Sequence, residues 1–532
     1  MEMENCIDVV IVGGGIAGLT SGAYLAKAGL RILLCEKNSQ VGGLVSAFAR
    51  DGFHFDAGAR ALENSGVIFP MLKQLGIEME FVKNEISISL GNERIWLKDK
   101  MSLEDYQKLL VRHFPDNTKD IALIVREIKK VIRYMDVIYG IDNPLFSDQL
   151  DNPGYLLKTI MPWLVKYNYN MKKIKRLNQP INEYLSKFTE NKVLIDFITQ
   201  HFFTATPAFF ALSYFGLYLD YFYPLHGTQE LAVKLEKHIK DHGGFIVRNT
   251  KVEKVDHDDK IVSTASGEKF KYKRLIWAAD NRTLYNILES KNDKTNMAIE
   301  ARKIKVHQAK GGNSVFSVFL AVDRKPAYFQ EKCGPHCFHT PAIKGISALE
   351  PPEQFTREKV KNYLQEYFNT TTYEISIPCL RNEHLAPANQ SGIIISTLLD
   401  YGLVAKIQDE LWYAEFKEFA MAAIIDVFDR SLFSGFKGDV LDSSSTTPLS
   451  IAKYNGSWQG AITGWSFENS KMPCESNLAK IAKAVETEFD DIFQCGQWSF
   501  SPSGVPVSII TGKLASDRII SSLKPDKGNH NG

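Results

Sequence analysis

Three glycines and one acid near the start of the chain have the types and spacing needed to grip a dinucleotide. They are Gly13, Gly15 and Gly18 of Gly13-Gly14-Gly15-Ile16-Ala17-Gly18, followed at a distance by Glu36. In a G-x-G-x-x-G loop the first glycine permits a tight turn and the second lets backbone approach a pyrophosphate. The third lets a helix pack closely on a strand, and an acid at the place of Glu36 accepts hydrogen bonds from a ribose. These residues act only if neighbouring elements hold them. The apolar run Ile7 to Val12 predicts a buried parallel strand, and Leu19, Gly22, Ala23 and Ala26 recur at helical spacing up to Gly29. Residues 31–35 predict a second strand that ends at Glu36. The start of the helix adds its positive dipole end to the phosphate site.

After Glu36 come Val41-Gly42-Gly43-Leu44 and then Asp56-Ala57-Gly58. A glycine pair in that place lets a second loop close over the pyrophosphate. With these elements the chain resembles the flavoprotein superfamily of amine oxidases, phytoene desaturases, carotenoid isomerases and retinol saturases. The resemblance implies FAD rather than a nicotinamide. It implies cofactor contacts from Gly13, Gly15, Ile16, Ala17, Gly18, Glu36, Lys37, Gly42, Gly43 and Leu44, with Gly58 near the ring. Two distant segments extend it. Past Pro224-Leu225-His226-Gly227-Thr228 a helical pattern through Leu231 and Leu235 leads to Val252, whose family counterpart holds the adenine with its backbone. Near the C-terminus, Gly496, Gln497, Gly504, Val505 and Pro506 match a second flavin motif, followed by a helix expected over about 508–521. Its N-terminus supports negative charge on the reduced ring. Two positions depart from the family. Leu44 stands where arginine is frequent, and Gln497 stands where an acid is common, keeping a hydrogen bond to the ribityl chain but no charge.

The flavin segments fall at 1–80, 221–290 and 481–532. The fold expected is therefore α/β (α+β overall), with a Rossmann-type FAD-binding domain assembled from discontinuous pieces. Residues 81–220 read as a mostly helical insertion contacting substrate and membrane, with helices such as 121–139 and 181–203 and a helical lid. Residues 291–480 read as a substrate domain with a mixed sheet, including strands near 314–322 and 392–399. A polar tail runs from Lys524 to Gly532.

The 532 residues carry a net charge of +1, which gives no electrostatic footprint for nucleic acid. The N-terminus enters the first strand at once, so a cytoplasmic protein, peripheral on a membrane surface, is expected. Seven scattered cysteines suit a reducing compartment. Cys333-Gly334-Pro335-His336-Cys337-Phe338-His339 offers zinc-type ligands at tight spacing but lacks a second pair, and reads as a solvated loop rather than a metal site. Cys495, beside the second flavin motif, reads as a small buried residue rather than an attachment point.

Residues 202–219 are uncharged up to Leu219 and crowded with aromatics. Pro207 and several hydroxyl residues argue against a membrane span. A span would also divide the flavin domain, since Val252 and Gly496 must share one side. Two readings stay open: a buried core helix, or a wall of an apolar tunnel in which Phe209, Phe210 and Tyr214 line the substrate pocket. The adjoining 155–177 mixes apolar and aromatic residues with Lys158, Lys166, Lys172, Lys173, Lys175 and Arg176. This composition suits a helix lying in an anionic bilayer surface, or an amphipathic lid with a solvated basic face. The resemblance implies hydride transfer between flavin N5 and a long apolar isoprenoid or polyene, as in phytoene desaturases. A saturase, a carotenoid cis–trans isomerase and a non-catalytic prenyl-lipid-binding module are the alternatives. His54, Arg60, Asp220 and His226 flank the motifs, yet none is assigned as catalytic. No second G-x-G-x-x-G unit exists to hold a nicotinamide, so the electron partner stays open.

Overall fold

The computed structural model describes residues 7–139 and 141–523; the polar tail lies outside them. The strand Ile7–Val12 sits in the middle of an eight-stranded sheet. Ile32–Cys35 and Phe245–Val247 extend it in parallel on one side, and Lys269–Trp277 pairs in parallel on the other. Ile492–Gln494 joins the C-terminal half of Lys269–Trp277 in parallel, whereas its N-terminal half turns into an antiparallel meander with Ile261–Thr264 and Val252–Asp256. Val9, Val10 and Ile11 are fully buried, as a strand covered on both faces requires.

The first helix, Ile16–Lys27, is crowded with small residues because two other helices close on it, Glu230–Asp241 and Val505–Leu523. A Cβ on Gly22 would stand 2.8 Å from Ile239 Cδ1, and one on Gly512 would stand 2.5 Å from the Ala17 carbonyl. The Ser21 hydroxyl donates to the Gly512 carbonyl at 2.9 Å and locks the pair. The C-terminal helix begins at Val505, a few residues before the start expected from sequence, with Pro506 in its first turn. Proline is tolerated there because it lacks an N–H that would in any case have no intrahelical partner in the first turn.

The second sheet has seven strands, and its longest pairing is the nine-residue antiparallel ladder between Ser314–Val322 and Ser391–Leu399. Its far edge comes from Ile86–Leu90 and Glu93–Leu97, so the segment 81–220 contributes strands to this sheet as well as helices. Phe81–Lys83 and Leu62–Glu63 flank Tyr221–Pro224 in a small third sheet that ties the flavin segments to the insertion. Thr118–Tyr139 places Ile121, Ile124, Val125, Ile128, Val131, Ile132 and Met135 on one buried face, the periodicity of an amphipathic helix.

Three expectations change. The stretch 181–203 is two short helices, Ile181–Leu185 and Lys192–Thr199, because the Asn191 side chain accepts from the Leu194 N–H and starts a new helix. Within 202–219 the helix spans only Ala208–Leu217, opening just after Pro207. Cys333 to His339 is no solvated loop. His336–Thr340 is an interior strand between Ile86–Leu90 and Tyr373–Ser376, and Cys333, His336, Cys337 and His339 are all buried. Burial pushes the Cys337 thiol up to about 11. Among the described residues no group of three His, Cys, Asp or Glu is arranged to hold a metal ion, and no helix is long and apolar enough to cross a membrane.

Candidate functional site

The glycines of the first loop separate by what their own surroundings demand. Gly13 has φ +107°, and a Cβ there would press on the Ala278 carbonyl at 2.8 Å. Gly18 could not carry one at all, since it would lie 2.0 Å from the Gly13 carbonyl. Gly15 has an ordinary φ of −72° and nothing within 4 Å of its would-be Cβ. The protein's own packing does not explain that glycine, but a phosphate group passing over the backbone does. The helix beginning at Ile16 has no side-chain cap and no acid in its first turn, which leaves its amide dipoles to an external anion. Gly43 lies against Gly15, its would-be Cβ 3.3 Å from the Gly15 Cα, and the Gly42 N–H donates to the Gly14 carbonyl at 2.8 Å. The two glycine loops thus meet around one phosphate-sized path.

Glu36 is buried, and its oxygens accept from the Gly14 N–H at 2.7 Å and the Asn38 N–H at 2.8 Å. A carboxylate has roughly four acceptor sites, so ribose hydroxyls can still be bound. The Thr250 N–H donates to the Glu36 carbonyl at 2.8 Å, and the Asn249 N–H to the Asn38 carbonyl at 3.0 Å. Val252 therefore arrives beside this end, where the ladder to Thr264 is irregular. The Lys37 ammonium turns away to the Lys453 carbonyl at 3.3 Å.

At the opposite end, Leu44 acts through its backbone: its carbonyl accepts from Ala59 at 2.8 Å and leaves no room for a Cβ on Gly58. Asp56 is fully buried. It accepts from Tyr223 at 2.8 Å and from the Thr228 N–H and hydroxyl at 2.9 and 2.8 Å. Burial opposes its charge, but His54, Thr228 and Tyr223 together hold its carboxyl below the usual range. Gly496 (φ +90°) stacks against Ala17, its N–H donating to the Thr511 hydroxyl at 2.9 Å. Gln497 directs its amide to the Ser457 hydroxyl at 3.3 Å. Gly504 leads into the helix starting at Val505 and Pro506, and its carbonyl accepts from Ser508 at 2.9 Å. Cys495 sits 3.7 Å from the Ser21 hydroxyl, between the first and last helices.

Beside this cradle stands a wall of rings. Phe210, Tyr214, Tyr218 and Tyr221 follow one another with centroids 5.2, 5.5 and 5.7 Å apart. Phe338 of the second sheet lies 5.1 Å from Tyr218, and Phe467 lies 6.3 Å from Phe210. Phe209, one position away, is buried with Tyr218 in the helical core against which Phe210 and Tyr214 pack. Buried polar groups anchor the wall from behind. His336 bridges the Glu374 carboxylate (2.9 Å) and Asn84 (2.8 Å), and Asn84 accepts from Arg381 at 2.6 Å. Arg60 is buried and donates to the Asp56 carbonyl and to the Ser396 hydroxyl at 3.1 Å, joining the flavin segments to the second sheet. Of the four flanking residues, Arg60 and His54 thus take structural partners. Asp220 accepts from the Ser65 N–H at 2.6 Å, and the exposed His226 points its own backbone N–H at Glu230.

A fold with a split parallel nucleotide sheet, two glycine loops and a C-terminal helix facing the cradle defines a flavoprotein oxidoreductase. The flavin containing amine oxidoreductase family matches residues 16–363, and the chain belongs to that family of FAD-dependent oxidoreductases. FAD is the cofactor that the cradle fits. The chain is similar to an all-trans-retinol 13,14-reductase of Danio rerio, 23% identical over 60% of this chain and 54% of the relative. It also resembles the 4,4'-diapophytoene desaturase (4,4'-diaponeurosporene-forming) of Staphylococcus haemolyticus, 20% identical over 98% of this chain and 100% of the relative. An inactive all-trans-retinol 13,14-reductase of Danio rerio matches at 23% over 48% of this chain and only 43% of its own length. The chain thus spans about half the length of the retinol reductases it matches. Among solved structures, cyclohexylamine oxidase from Brevibacterium oxydans shares the fold with a TM-score of 0.56 at 12% identity, over 98% and 100% of the two chains. An oxidoreductase from Methanosarcina mazei does so with a TM-score of 0.59 at 13% identity, over 96% and 99%.

Proposed function

We propose that the protein transfers hydride between flavin N5 and a long apolar isoprenoid or polyene, in the manner of a phytoene desaturase. The observation that carries this reading is the continuous aromatic wall from Phe210 to Tyr221 and Phe338, which suits a substrate with π-surface and no need of hydrogen bonds. The similarity to a diapophytoene desaturase and to a retinol reductase supports the same substrate class. Bound FAD supplies the two-electron chemistry; the chain positions the hydrocarbon and keeps the site dry. The similarity to retinol reductases keeps the saturating direction as the second reading. An anaerobic absorbance titration with phytoene in liposomes tests the first. Bleaching of the flavin band is expected; an unchanged oxidised band, with reoxidation of the prereduced protein by retinol, overturns the desaturating direction in favour of the saturating one.

An apolar substrate must reach this wall from a lipid phase, and the segment 153–177 supports a role as the docking element. Leu157, Met161, Val165 and Tyr169 recur every fourth residue along it, and Leu157 and Val165 are 69% and 70% exposed. Asn170, Met171 and Ile174 face inward. Lys158, Lys166, Lys172, Lys175 and Arg176 are exposed on the same segment, with no acid between residues 152 and 182. Lys173 instead lies over the rings of Tyr134 and Tyr169. Each exposed base near an anionic surface contributes about 1 kcal/mol. Reversing Lys172 and Lys175 to Glu is therefore expected to weaken flotation with phosphatidylglycerol vesicles by more than tenfold and to leave neutral vesicles unaffected. Equal flotation of wild type and variant would remove this segment from the membrane surface.

A further inference from the structure

One ionisable group at the aromatic wall has no structural employment. Glu63 lies on the short strand Leu62–Glu63, five residues beyond Gly58, and its cross-strand partner in the antiparallel ladder is Tyr221. Directly paired residues put their side chains on the same face, so the Glu63 carboxyl stands beside the Tyr221 ring at one end of the wall. The same strand packs against the C-terminal helix whose first turn carries the second flavin motif. Glu63 is thus held between the element expected under the flavin ring and the rings expected to hold the hydrocarbon.

The partners of Glu63 are few. Among the described residues no cation pairs with it, and its hydrogen-bond contact is the Ser65 hydroxyl at 3.4 Å. The charged and titratable groups that act on it or on its immediate neighbour are Asp220, a like charge, and the Tyr221 phenol. Lys83 acts on Asp220, while Tyr214 and Glu374 act on Tyr221. Burial first, and then the Asp220 charge, push the Glu63 carboxyl up to about 7. A structural acid would be expected to have a cation or several hydrogen-bond donors, as Asp56 and Glu36 do.

We infer that Glu63 is the catalytic acid–base of this site, the group that takes a proton from, or gives one to, the carbon next to the one exchanging hydride. This rests on the hydride-transfer reading above. In the desaturating direction one hydrogen would leave its carbon as hydride, taking both electrons of the C–H bond, with bound FAD supplying the two-electron acceptor. The neighbouring C–H bond gives its proton to the Glu63 carboxylate and its electron pair to the new C=C. In the saturating direction the Glu63 acid protonates one alkene carbon while hydride from reduced FAD reaches the other. A carboxyl whose two forms coexist near neutrality serves both directions.

The test uses two readouts on the full-length protein and the variants Glu63→Gln, Glu63→Asp and Asp220→Asn. The first needs no substrate: an infrared pH titration of the apoprotein, following the protonated-carboxyl C=O band. A band with its midpoint near neutral pH is expected in wild type, absent in Glu63→Gln and shifted to lower pH in Asp220→Asn, which loses the like charge. The second is single-turnover bleaching of the holoprotein with phytoene in liposomes. Glu63→Gln is expected to slow it roughly 100- to 10,000-fold with FAD binding unchanged, and Glu63→Asp to restore part of the rate with its pH inflection. Bleaching by Glu63→Gln at the wild-type rate overturns the assignment while leaving the hydride-transfer reading intact. If wild type itself reacts with neither phytoene nor, when prereduced, retinol, the substrate reading falls instead. The infrared titration then decides for Glu63: a neutral band lost in Glu63→Gln upholds it as the proton-holding group, and its absence in wild type overturns it.

Discussion

Gly15→Val is expected to abolish FAD binding while the apoprotein folds as before. The position has an ordinary backbone conformation, with nothing within 4 Å of the added Cβ. The valine therefore meets no protein atom at its first carbon, and its branches project into the path where the Gly43 loop faces the first helix. Affinity should fall by ~100-fold or more, about 3 kcal/mol, with the apoprotein melting temperature within a few degrees of wild type. Gly18→Val provides the contrast, because its Cβ would lie 2.0 Å from the Gly13 carbonyl. That variant should be destabilised whether or not cofactor is present. Reconstitution followed by flavin fluorescence, beside thermal melts of both apoproteins, separates the two. Wild-type FAD affinity in Gly15→Val would show that the pyrophosphate runs elsewhere.

Asp56→Ala should be the most destabilising single change at the junction of the two sheets. Its carboxylate is fully buried and satisfies the Tyr223 hydroxyl, the Thr228 N–H and the Thr228 hydroxyl. Alanine leaves those donors buried with no acceptor, a loss of about 3–5 kcal/mol for a broken buried charged network. Asp56→Asn keeps one acceptor oxygen and should lose less, about 1–3 kcal/mol. The pH dependence has a definite sign. The folded carboxyl lies below its ordinary value of 3.8, so its stabilisation is complete at neutral pH. It is lost as pH falls from about 3.8 through the lower folded value. Denaturant melts should show wild type and Asp56→Ala far apart at pH 7 and converging in strong acid. A constant gap down to that range would mean that Asp56 contributes by shape and not by charge.

The nucleotide cradle was legible from sequence because its chemistry needs residues with few substitutes. Backbone can approach a phosphate only where a side chain is missing, as at Gly15, while Gly13, Gly18 and Gly42 are required because neighbouring backbone leaves no room for a Cβ. The apolar runs before Gly13 and Glu36 indicated the strands because a parallel sheet covered on both faces excludes polar residues. The Cys- and His-rich strand at His336–Thr340 was not legible. Its polar composition imitates a loop, and only its place between Ile86–Leu90 and Tyr373–Ser376 buries it.

The aromatic run at 202–219 announced an apolar surface, but not which rings belong to it. The contacts decided that: Phe209 and Tyr218 are buried in the insertion's core, and Phe210, Tyr214 and Tyr221 pack against it and continue with Tyr218 as one wall. Glu63 carried no signal at all in the sequence. A single glutamate beside Leu62 gains meaning only when the ladder sets it opposite Tyr221 and near Asp220, residues far along the chain. The sequence by itself marked a dinucleotide site and the order of its binding elements, since glycine turns and buried strands follow from local conformational requirements, and the resemblance those motifs carry implied FAD. The tertiary structure alone decided the course of the aromatic wall and the surroundings of Glu63, since both depend on contacts between distant segments and on the burial those contacts create.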